Sequence, residues 1–502
     1  MDSGLNQLHF VLVPLMSPGH LIPMIDMARL LAQHGTKVTI VTTPLNAIKF
    51  NSMIERASES GLQIQILTLH FPALEAGLPE GCENMSQLAT RNLIKNFFEA
   101  TNMLQQPFEN LLQNLETPAS CIVSGKNLGW TVETSRKFKI PRIFFDGMGC
   151  FGVSCTLRLE TCRIHEGISS SEPFLVPGLP HRIELTKAKL PENLNSGSAD
   201  LTEVRNKMRA AEAVSDGIVV NTFEELEEDY VKEFKRVKGD KVWCIGPVSG
   251  YNQSKLDKGD RGEMASIDVN QCLKWLDSWE PGSVIYACLG SICGLKPWQL
   301  KELGLGLEAS NRPFIWVIRG GERSEDLEKW ISEEGIEDRT NGRGLVINGW
   351  APQLLILSHP AIGGFLTHCG WNSTLEGIGA GVPLLTCPLF AEQFFNEKLV
   401  VEVLKTGVSV GVEAAVTWGL EDKAGLVMKR GDVKKAIDEV MDKGEEAEER
   451  RKKARELGEM AKRAVEEGGS SHHNMEMLIQ YVKEQQNVRL EKDITSIRWK
   501  IN

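Results

Sequence analysis

The sequence predicts an α/β protein made of two Rossmann-like domains that follow one another and face a cleft. Its 502 residues exceed the length at which a single hydrophobic core stops growing. Short apolar runs alternate with amphipathic stretches in both halves, which is typical of parallel sheets covered by helices. A polar stretch that begins with Gly246-Pro247 separates the two series. We therefore predict domains over 1–245 and 271–468, joined by a linker over 246–270.

The predicted strands of each half are short, apolar and separated by stretches with a helical pattern. Because helices lie between successive strands, both sheets are expected to be parallel. In the first domain the strands are Phe10 to Val13, Val38 to Val41, Ile64 to Leu67, Cys121 to Val123 and Arg142 to Phe145. In the second domain they are Val284 to Leu289, Phe314 to Ile318, Leu345 to Ile347, Ile362 to Leu366 and Val382 to Leu385.

The end of the chain differs from both domains. A final helix is predicted over 469–485, directly after Gly468. The residues that follow, 486–502, are polar and show no clear periodicity, so we predict a loosely ordered tail.

Composition and charge exclude several classes of function. Hydrophobic content of 42% with 25% charged residues is ordinary for a globular protein. A net charge of −11 argues against a nucleic acid or an anionic membrane as partner. No apolar run approaches the roughly 18 residues of a membrane span, and the N-terminus does not resemble a signal peptide. Scattered cysteines without CxxC pairs indicate reduced thiols. We expect a cytoplasmic monomer.

The segment from Trp350 to Gln393 contains the residue types that a nucleotide sugar requires. It reads WAPQLLILSHPAIGGFLTHCGWNSTLEGIGAGVPLLTCPLFAEQ. The apolar run Ile362 to Leu366 is a predicted strand and Leu375 to Ile378 a predicted helix, so the residues between them form a strand-to-helix turn. A helix N-terminus offers unpaired N–H donors and a partial positive charge, so such a turn is suited to phosphate.

Polar and aromatic side chains around this turn suit the remaining parts of such a ligand. A carboxylate only accepts hydrogen bonds and can therefore take the paired hydroxyls of a ribose. An indole offers a flat face to a base. The side chains concerned are His368, Asn372 and Ser373 for a diphosphate, Glu376 for the ribose, Trp350 for the base, and Glu392 with Gln393 for a hexose.

The order of these residues closely resembles the sugar-nucleotide motif of plant family-1 UDP-glycosyltransferases. The match comprises the opening Trp-Ala-Pro-Gln, the His-Cys-Gly-Trp-Asn-Ser core, the glutamate three residues later and the closing Glu-Gln pair. The resemblance covers nearly the whole chain and implies the GT-B fold, a final helix that crosses back onto the first domain, and UDP-glucose as co-substrate, since the closing residue is Gln rather than His. By this resemblance, Trp350, Ala351 and Gln353 contact uracil, Glu376 the ribose, His368, Asn372 and Ser373 the phosphates, and Trp371, Glu392 and Gln393 the sugar.

A histidine follows the first predicted strand. The segment 17–20, Ser-Pro-Gly-His, precedes a predicted helix over 21–33. Ligands of parallel sheets bind at this end of the strands, where a histidine can act as general base on an acceptor hydroxyl. The segment resembles the family's Gly-His-Ile/Leu-Pro motif, which implies that His20 is the catalytic base and that Gly19 belongs to the UDP-sugar site. The resemblance also implies that Ser291, in the turn after the first strand of the second domain, contacts phosphate.

The chain departs from the family beside this histidine. In most relatives an Asp that hydrogen-bonds the catalytic His stands where this chain has Gly125, followed by Lys126. Without a carboxylate, the protonated form of His20 is less stable and the neutral form is a weaker base. Three interpretations stay open. Asp146, where many relatives carry His, supplies the carboxylate; the acceptor ionises readily, as phenols and carboxylic acids do; or the chain is a catalytically impaired relative that binds UDP-sugar and aglycone.

By family analogy, the acceptor pocket lies in the first domain and is mostly apolar, which suits a flat or bulky hydrophobic aglycone. For any one of these side chains, a place in the domain core is an equally good interpretation. The segments 174–186 and 288–293 resemble those of plant enzymes that act on triterpenoids, steroids, flavonoids and hormones. The predicted pocket residues are Met16, Met85, Phe97, Phe145, Met148 and Phe151.

The sequence thus favours inverting glucosyl transfer from UDP-glucose to a hydrophobic plant small molecule. We expect no obligatory metal ion, because no Asp-x-Asp pair stands at a predicted strand end and the helix N-terminus can offset the phosphate charge. A non-catalytic UDP-sugar or aglycone binding protein is the main alternative. A NAD-dependent oxidoreductase is disfavoured, because no GxGxxG follows the first strand of either half.

Overall fold

Two parallel sheets form the framework of the molecule, and the predicted fold class is confirmed. The computed structural model describes residues 7–195, 201–292, 294–319, 325–333, 335–421, 425 and 427–501. The strands are β1 (His9–Val13), β2 (Lys37–Thr42), β3 (Ile64–Thr68), β4 (Cys121–Gly125), β5 (Arg142–Asp146), β6 (Pro173–Leu175), β7 (Glu184–Thr186), β8 (Gly217–Val220), β9 (Val242–Cys244), β10 (Val284–Cys288), β11 (Phe314–Ile318), β12 (Gly344–Asn348), β13 (Ile362–Thr367), β14 (Leu384–Thr386) and β15 (Gly407–Ser409).

In each domain, the strand order reverses direction once, and this point is where a ligand site is expected. The first sheet has seven strands in the order β3-β2-β1-β4-β5-β8-β9, and the second has six in the order β12-β11-β10-β13-β14-β15. The order reverses between β1 and β4 and again between β10 and β13. Ligands of such sheets bind outside the carboxyl ends of the strands at this reversal. The loops after β1, β4, β10 and β13 are therefore the candidates for a site.

Helices cover both sheets, as expected when strands are buried on both faces and read as continuous apolar runs. A separate antiparallel hairpin, β6 with β7, lies outside the sheets. The helices are α1 (Pro18–Gln33), α2 (Pro44–Ala47), α3 (Asn51–Glu59), α4 (Ile94–Met103), α5 (Gln105–Gln113), α6 (Thr131–Phe138), α7 (Cys150–Cys162), α8 (Thr202–Ala213), α9 (Glu228–Lys238), α10 (Lys255–Gly259), α11 (Val269–Asp277), α12 (Pro297–Ala309), α13 (Glu325–Glu333), α14 (Ile336–Arg339), α15 (Gln353–Leu357), α16 (Trp371–Gly379), α17 (Gln393–Lys398), α18 (Arg430–Val440), α19 (Glu445–Val465) and α20 (Ser470–Ile501).

The last helix packs on the first domain although it follows the second. Met475, Leu478 and Val482 are buried in the core cluster that contains β1 and β2, and the Ser471 hydroxyl donates to the Gly246 carbonyl. The helix continues to Ile501, so the predicted loosely ordered tail over 486–502 is wrong as a description of the backbone. Glu, Gln, Lys, Arg and Leu dominate its middle part and favour helix, and neither Gly nor Pro interrupts it.

The linker is more structured than its polar sequence suggests. It contains a 3₁₀ turn at Val248–Tyr251 and the short helix α10. One buried core cluster runs from the first domain into the second, so the two domains pack directly against each other. Among the described residues, no helix has the length and apolarity needed to cross a membrane.

Candidate active site

A cavity of about 400 Å³ lies between the carboxyl ends of the two sheets. Its volume falls in the range that small-molecule sites occupy. Both domains contribute, and the linker adds Lys258 and Arg261 to the wall. The sequence-predicted residues that line it are Gly19, His20, Met148, Ser291, Trp350, Ala351, Gln353, His368, Trp371, Asn372, Ser373, Glu376, Glu392 and Gln393.

His20 lies in the first turn of α1, not in the preceding loop as the sequence predicts. Ser17 is extended, with φ −151° and ψ 138°, and Pro18 occupies the first helical position, where its fixed φ and missing N–H cost nothing. The helix therefore begins before His20. Within the described part of the chain, the Nδ1 atom of His20 has no hydrogen-bonding partner. Burial, reinforced by the positive charge of Lys126 and opposed by Asp146, lowers the pKa of His20 to about 4.

Asp146 ends β5 near His20 but is bound to a different group. Its Oδ1 accepts hydrogen bonds from Lys126 Nζ at 2.9 Å and from the Met148 amide at 3.1 Å. The Asp146 side chain is 4% exposed and the Lys126 side chain 25%, so the carboxylate is shielded from water while the lysine is partly exposed. Asp146 therefore acts on His20 through its charge, and Lys126 offsets that charge. The prediction that Asp146 replaces the missing carboxylate is therefore wrong if it means a hydrogen bond to His20, because the bonds of Asp146 Oδ1 go to Lys126 and Met148.

The turn between β13 and α16 has the geometry of an anion site. Cys369 adopts φ 63°, a conformation that residues other than Gly adopt only rarely, and its carbonyl accepts from Asn396 Nδ2 at 2.9 Å. His368 fits between Gly290 and Gly370, where an added Cβ would lie 2.5 Å and 2.4 Å from its Nε2. Burial lowers the pKa of His368 to about 4, with a contribution from the Arg319 charge. A neutral imidazole next to free helix N–H groups can donate to an anion.

The carboxylate predicted for ribose is held on both oxygens. Gln353 Nε2 donates to Glu376 Oε2 at 2.8 Å and to Ser373 Oγ at 3.0 Å. Arg261 Nη1 donates to Glu376 Oε1 at 2.6 Å. Gln353, a predicted uracil contact, is thereby hydrogen-bonded to two residues of α16.

Trp350, the residue predicted to contact the base, lines the cavity from the second domain. The Arg319 guanidinium lies 4.4 Å from the centre of its ring, and Gly262 packs so closely that an added Cβ would lie 2.4 Å from ring atom Cζ2. Its Nε1 donates to the Arg261 carbonyl at 3.2 Å. The linker and Arg319 therefore hold the indole in place.

Comparisons with known proteins agree with this arrangement. A family model described as "UDP-glucoronosyl and UDP-glucosyl transferase" matches residues 271–443, and one described as "Glycosyltransferase, N-terminal domain" matches residues 6–250. UDP-glycosyltransferase 73C3 of Arabidopsis thaliana is 54% identical over 475 residues, covering 94% of this chain and 96% of that protein. The chain belongs to the plant UDP-glycosyltransferase family.

Solved structures of this family have the same architecture. Glycyrrhiza uralensis UGT73P12, complexed with glycyrrhetinic acid 3-O-monoglucuronide, matches with a TM-score of 0.91 and 37% identity, covering 99% of this chain and 100% of that one. TcCGT1 in complex with UDP matches with a TM-score of 0.77 and 26% identity, covering 95% of this chain and 100% of that one. The predicted family membership, GT-B fold and enzymatic class of this UDP-glycosyltransferase are thereby confirmed.

In this glycosyltransferase, the N-terminus of α16 is also a contact between the domains. Trp371 Nε1 donates to the Asn221 carbonyl at 2.7 Å, and Asn372 Nδ2 donates to the Gly19 carbonyl at 2.8 Å. The Trp371 ring is 3% exposed and packs on Gly149, where a Cβ would lie 2.5 Å from it. The indole N–H of Trp371 is therefore engaged by the first domain rather than free for a sugar.

The predicted hexose contacts begin α17. Gln393 Oε1 accepts from the Leu389 and Phe390 amides at 2.8 Å and 3.0 Å, which shapes the loop before the helix. Among the described residues, these bonds use the Gln393 carbonyl oxygen, and an amide nitrogen of this kind can donate to a ligand. Burial raises the pKa of Glu392, whose backbone begins the helix.

The predicted acceptor pocket needs correction. Phe97, Phe145 and Phe151 are wholly buried in three different core clusters and do not line the cavity, so they are core residues. Met16 is buried too, and its carbonyl accepts from the Met85 amide at 2.9 Å. Of the six predicted side chains, Met148 lines the cavity.

Several residues that line or shape the cavity were not predicted from the sequence. Arg261 and Arg319 looked like ordinary charged surface residues, and Asn127 and Phe390 carry no motif. The departure from the family at Gly125 was the only signal that pointed to Lys126. Among the described residues, no group of three His, Cys, Asp or Glu side chains could hold a metal ion.

Proposed function

We propose that this glycosyltransferase transfers glucose from UDP-glucose, with inversion, to a phenolic hydroxyl or a carboxyl group of a hydrophobic plant small molecule. One observation carries the proposal: the chain has the complete donor motif from Trp350 to Gln393, but Gly125 stands where most relatives carry the Asp that bonds the catalytic histidine. His20 opens onto the cavity together with the α16 turn, and its Nδ1 has no partner within the described residues.

The reaction is a direct displacement at the anomeric carbon. With a phenol, His20 Nε2 takes the acceptor proton while the acceptor oxygen attacks the face opposite the leaving UDP. An ionised carboxyl group attacks the same face without giving up a proton. The N–H groups that begin α16, with His368, Asn372 and Ser373, stabilise the charge that develops on the diphosphate. These donors make a metal ion unnecessary in the proposed mechanism.

The environment of His20 supports an acceptor that ionises readily. In the relatives, a carboxylate stabilises the imidazolium that forms when the base accepts a proton. Here, Asp146 accepts a hydrogen bond from Lys126, and burial, reinforced by the Lys126 charge, lowers the pKa of His20 to about 4. A phenol, with a pKa of about 10, needs far less base assistance than an alkyl alcohol. A carboxylic acid is already ionised at neutral pH.

The wider substrate class rests on resemblance. Gln393 closes the donor motif, lines the cavity and has an amide nitrogen that can donate to a sugar hydroxyl, which supports glucose. UGT73P12, with a TM-score of 0.91, was crystallised with a triterpenoid glucuronide. We therefore propose a triterpenoid, steroid or flavonoid-type aglycone.

A single-turnover assay tests the proposal. UDP release from UDP-glucose is measured with phenolic, carboxylic and alkyl-alcohol acceptors, for the wild type and His20→Ala. We expect release with the first two classes. With the phenol, His20→Ala should lose roughly 10²- to 10⁴-fold in rate, because a proton must be removed. With the carboxylic acid, which is already ionised, the loss should be much smaller. Product NMR should show the β-glucoside that inversion of an α-linked donor requires. Equal rates for phenols and alkyl alcohols would contradict the proposed acceptor class.

One alternative function is favoured by a specific observation. In the part of the chain that the structure describes, His20 Nδ1 has no partner, which is also what a catalytically impaired UDP-sugar-binding relative would show. In that case, UDP-glucose binds in calorimetry but no acceptor of any class releases UDP.

A further inference from the structure

The linker segment 257–266, which we name the linker strap, is fastened to both domains. Toward the first domain, its acidic side chains pair with one basic residue each on α1, on α3 and in the turn that precedes α3. Toward the second, Ser266 exchanges two hydrogen bonds with Trp350. The contacts are Arg29 with Asp257 at 2.9 Å, Arg56 with Asp260 at 2.8 Å, Lys49 with Glu263 at 2.9 Å, Ser266 N with Trp350 O at 2.8 Å, and Trp350 N with Ser266 Oγ at 2.9 Å.

At the centre of the linker strap, Arg261 joins two buried carboxylates from different domains. Its Nε and Nη2 donate to Asp26 Oδ2 at 3.0 Å and 2.6 Å, and its Nη1 donates to Glu376 Oε1 at 2.6 Å. The side chains of Arg261, Asp26 and Glu376 are 8%, 1% and 6% exposed. Burial opposes the charge on Arg261, but Asp26 and Glu376 outweigh it and raise its pKa. Asp26 lies on α1, the helix that carries His20.

We propose that Arg261 is a positioning residue, which holds Glu376 in the orientation that accepts the ribose hydroxyls and ties the donor site to the helix of His20. This rests on the proposed function, in which Glu376 binds the ribose. The carboxylate has about four acceptor positions. Arg261 takes one on Oε1 and Gln353 takes one on Oε2. One position on each oxygen remains for a pair of vicinal hydroxyls.

The planar guanidinium explains why this position carries Arg. Its donors form a fixed fork that can serve two carboxylates at once, whereas the compact ammonium of Lys serves them with poorer geometry. Removing Arg261 would leave two buried carboxylates facing each other, and Glu376 would turn away from the cavity or bind a proton.

The test compares the affinities of UDP and 2′-deoxy-UDP, because only the first presents both ribose hydroxyls. The intact enzyme and the variants Arg261→Met, Arg261→Lys, Glu376→Gln and Lys49→Ala are titrated by calorimetry. Lys49→Ala is the matched control, since it removes an ion pair between the linker strap and the first domain without touching Glu376. Exposed pairs of this kind contribute little to stability.

In the wild type and Lys49→Ala, we expect UDP to bind more tightly than 2′-deoxy-UDP. In Arg261→Met, UDP should lose roughly tenfold in affinity while 2′-deoxy-UDP changes much less, as expected for loss of a hydrogen bond to a charged group. Arg261→Lys should give an intermediate preference. If Arg261→Met fails to fold, Arg261→Lys is used instead, and a smaller preference for UDP over 2′-deoxy-UDP than in the wild type is the expected result.

Two results overturn the proposal, and they are distinguishable. If Arg261→Met weakens both ligands equally while Glu376→Gln abolishes the preference, Arg261 serves only the fold and the donor-site assignment stands. If Glu376→Gln keeps the wild-type preference, the ribose contact in the proposed function is wrong, and the role of Arg261 falls with it.

Discussion

Restoring the missing carboxylate by Gly125→Asp is expected to raise turnover on alkyl alcohols. Gly125 ends β4, beside β1 and close to the loop that leads to His20. An added Cβ would lie 3.2 Å from the Leu15 amide nitrogen and 3.5 Å from its Cβ. Leu15 must therefore give by a few tenths of an ångström, and overpacking of this kind costs about 1–3 kcal/mol of stability.

The catalytic gain follows from the state of His20. Its Nδ1 lacks a partner within the described residues, and its pKa is lowered to about 4. A hydrogen bond to a charged group contributes about 1.5–3 kcal/mol. When this bond forms only to the imidazolium, it lowers the barrier, and the rate rises by about 10- to 150-fold. Lys126 competes for the new carboxylate, so the lower end of this range is expected.

Single-turnover UDP release measures the effect for an alkyl alcohol and for a phenol, with two control variants. Gly125→Ala isolates the cost of the Cβ, and Gly125→Asn has nearly the size of Asp without its charge. We expect Asp to exceed Asn by at least about tenfold on the alkyl alcohol and by much less on the phenol. An Asp rate no higher than the Asn rate would refute the reasoning.

Three further predictions concern the domain contact and the phosphate site. Gly149→Ala should lower the Tm and reduce turnover, because its Cβ would lie 2.5 Å from Trp371 and overpacking costs about 1–3 kcal/mol of stability. Gly152→Ala is the control and should be neutral, because the atom nearest to its added Cβ is 3.7 Å away. Trp371→Phe removes the 2.7 Å hydrogen bond to the Asn221 carbonyl and should cost about 1–3 kcal/mol in denaturant unfolding; an unchanged midpoint would contradict that. EDTA should leave turnover unchanged, whereas restoration by Mg²⁺ after chelation would overturn the metal-free mechanism.

The sequence predicted those features that depend on residues close together in the chain. Strands buried on both faces read as apolar runs. The residues predicted to bind the donor, from Trp350 to Gln393, stand in one segment, so their order alone favoured a nucleotide-sugar site. The contact of Arg261 with Asp26 joins residues 235 positions apart, and no periodicity encodes it. The prediction of the acceptor-pocket residues was wrong for a related reason. Large apolar side chains such as Phe97 and Phe151 are required by both a core and a pocket, and only the packing decides between them.

The ion pair of Lys126 with Asp146 adds two opposing effects to the burial that lowers the pKa of His20, and substitution can separate them. Lys126 lowers the pKa of His20 and Asp146 raises it. A general base must be neutral, so activity falls as the pH drops through its pKa. Lys126→Met should therefore move the acidic limb of kcat/KM to higher pH, and Asp146→Asn should move it to lower pH.

The double variant, Lys126→Met with Asp146→Asn, distinguishes a charge pair from a catalytic dyad. If the two residues act on His20 only through opposing charges, their joint removal should return the acidic limb close to its wild-type position. If Asp146 instead bonds His20 during turnover, Asp146→Asn should lower the rate at every pH, and adding Lys126→Met should not restore it. Because Asp146 accepts from Lys126 at 2.9 Å while His20 Nδ1 stays unpartnered among the described residues, we expect the first result. Under the proposed function, the acidity of a phenol or a carboxylic acid then makes a carboxylate partner for His20 unnecessary.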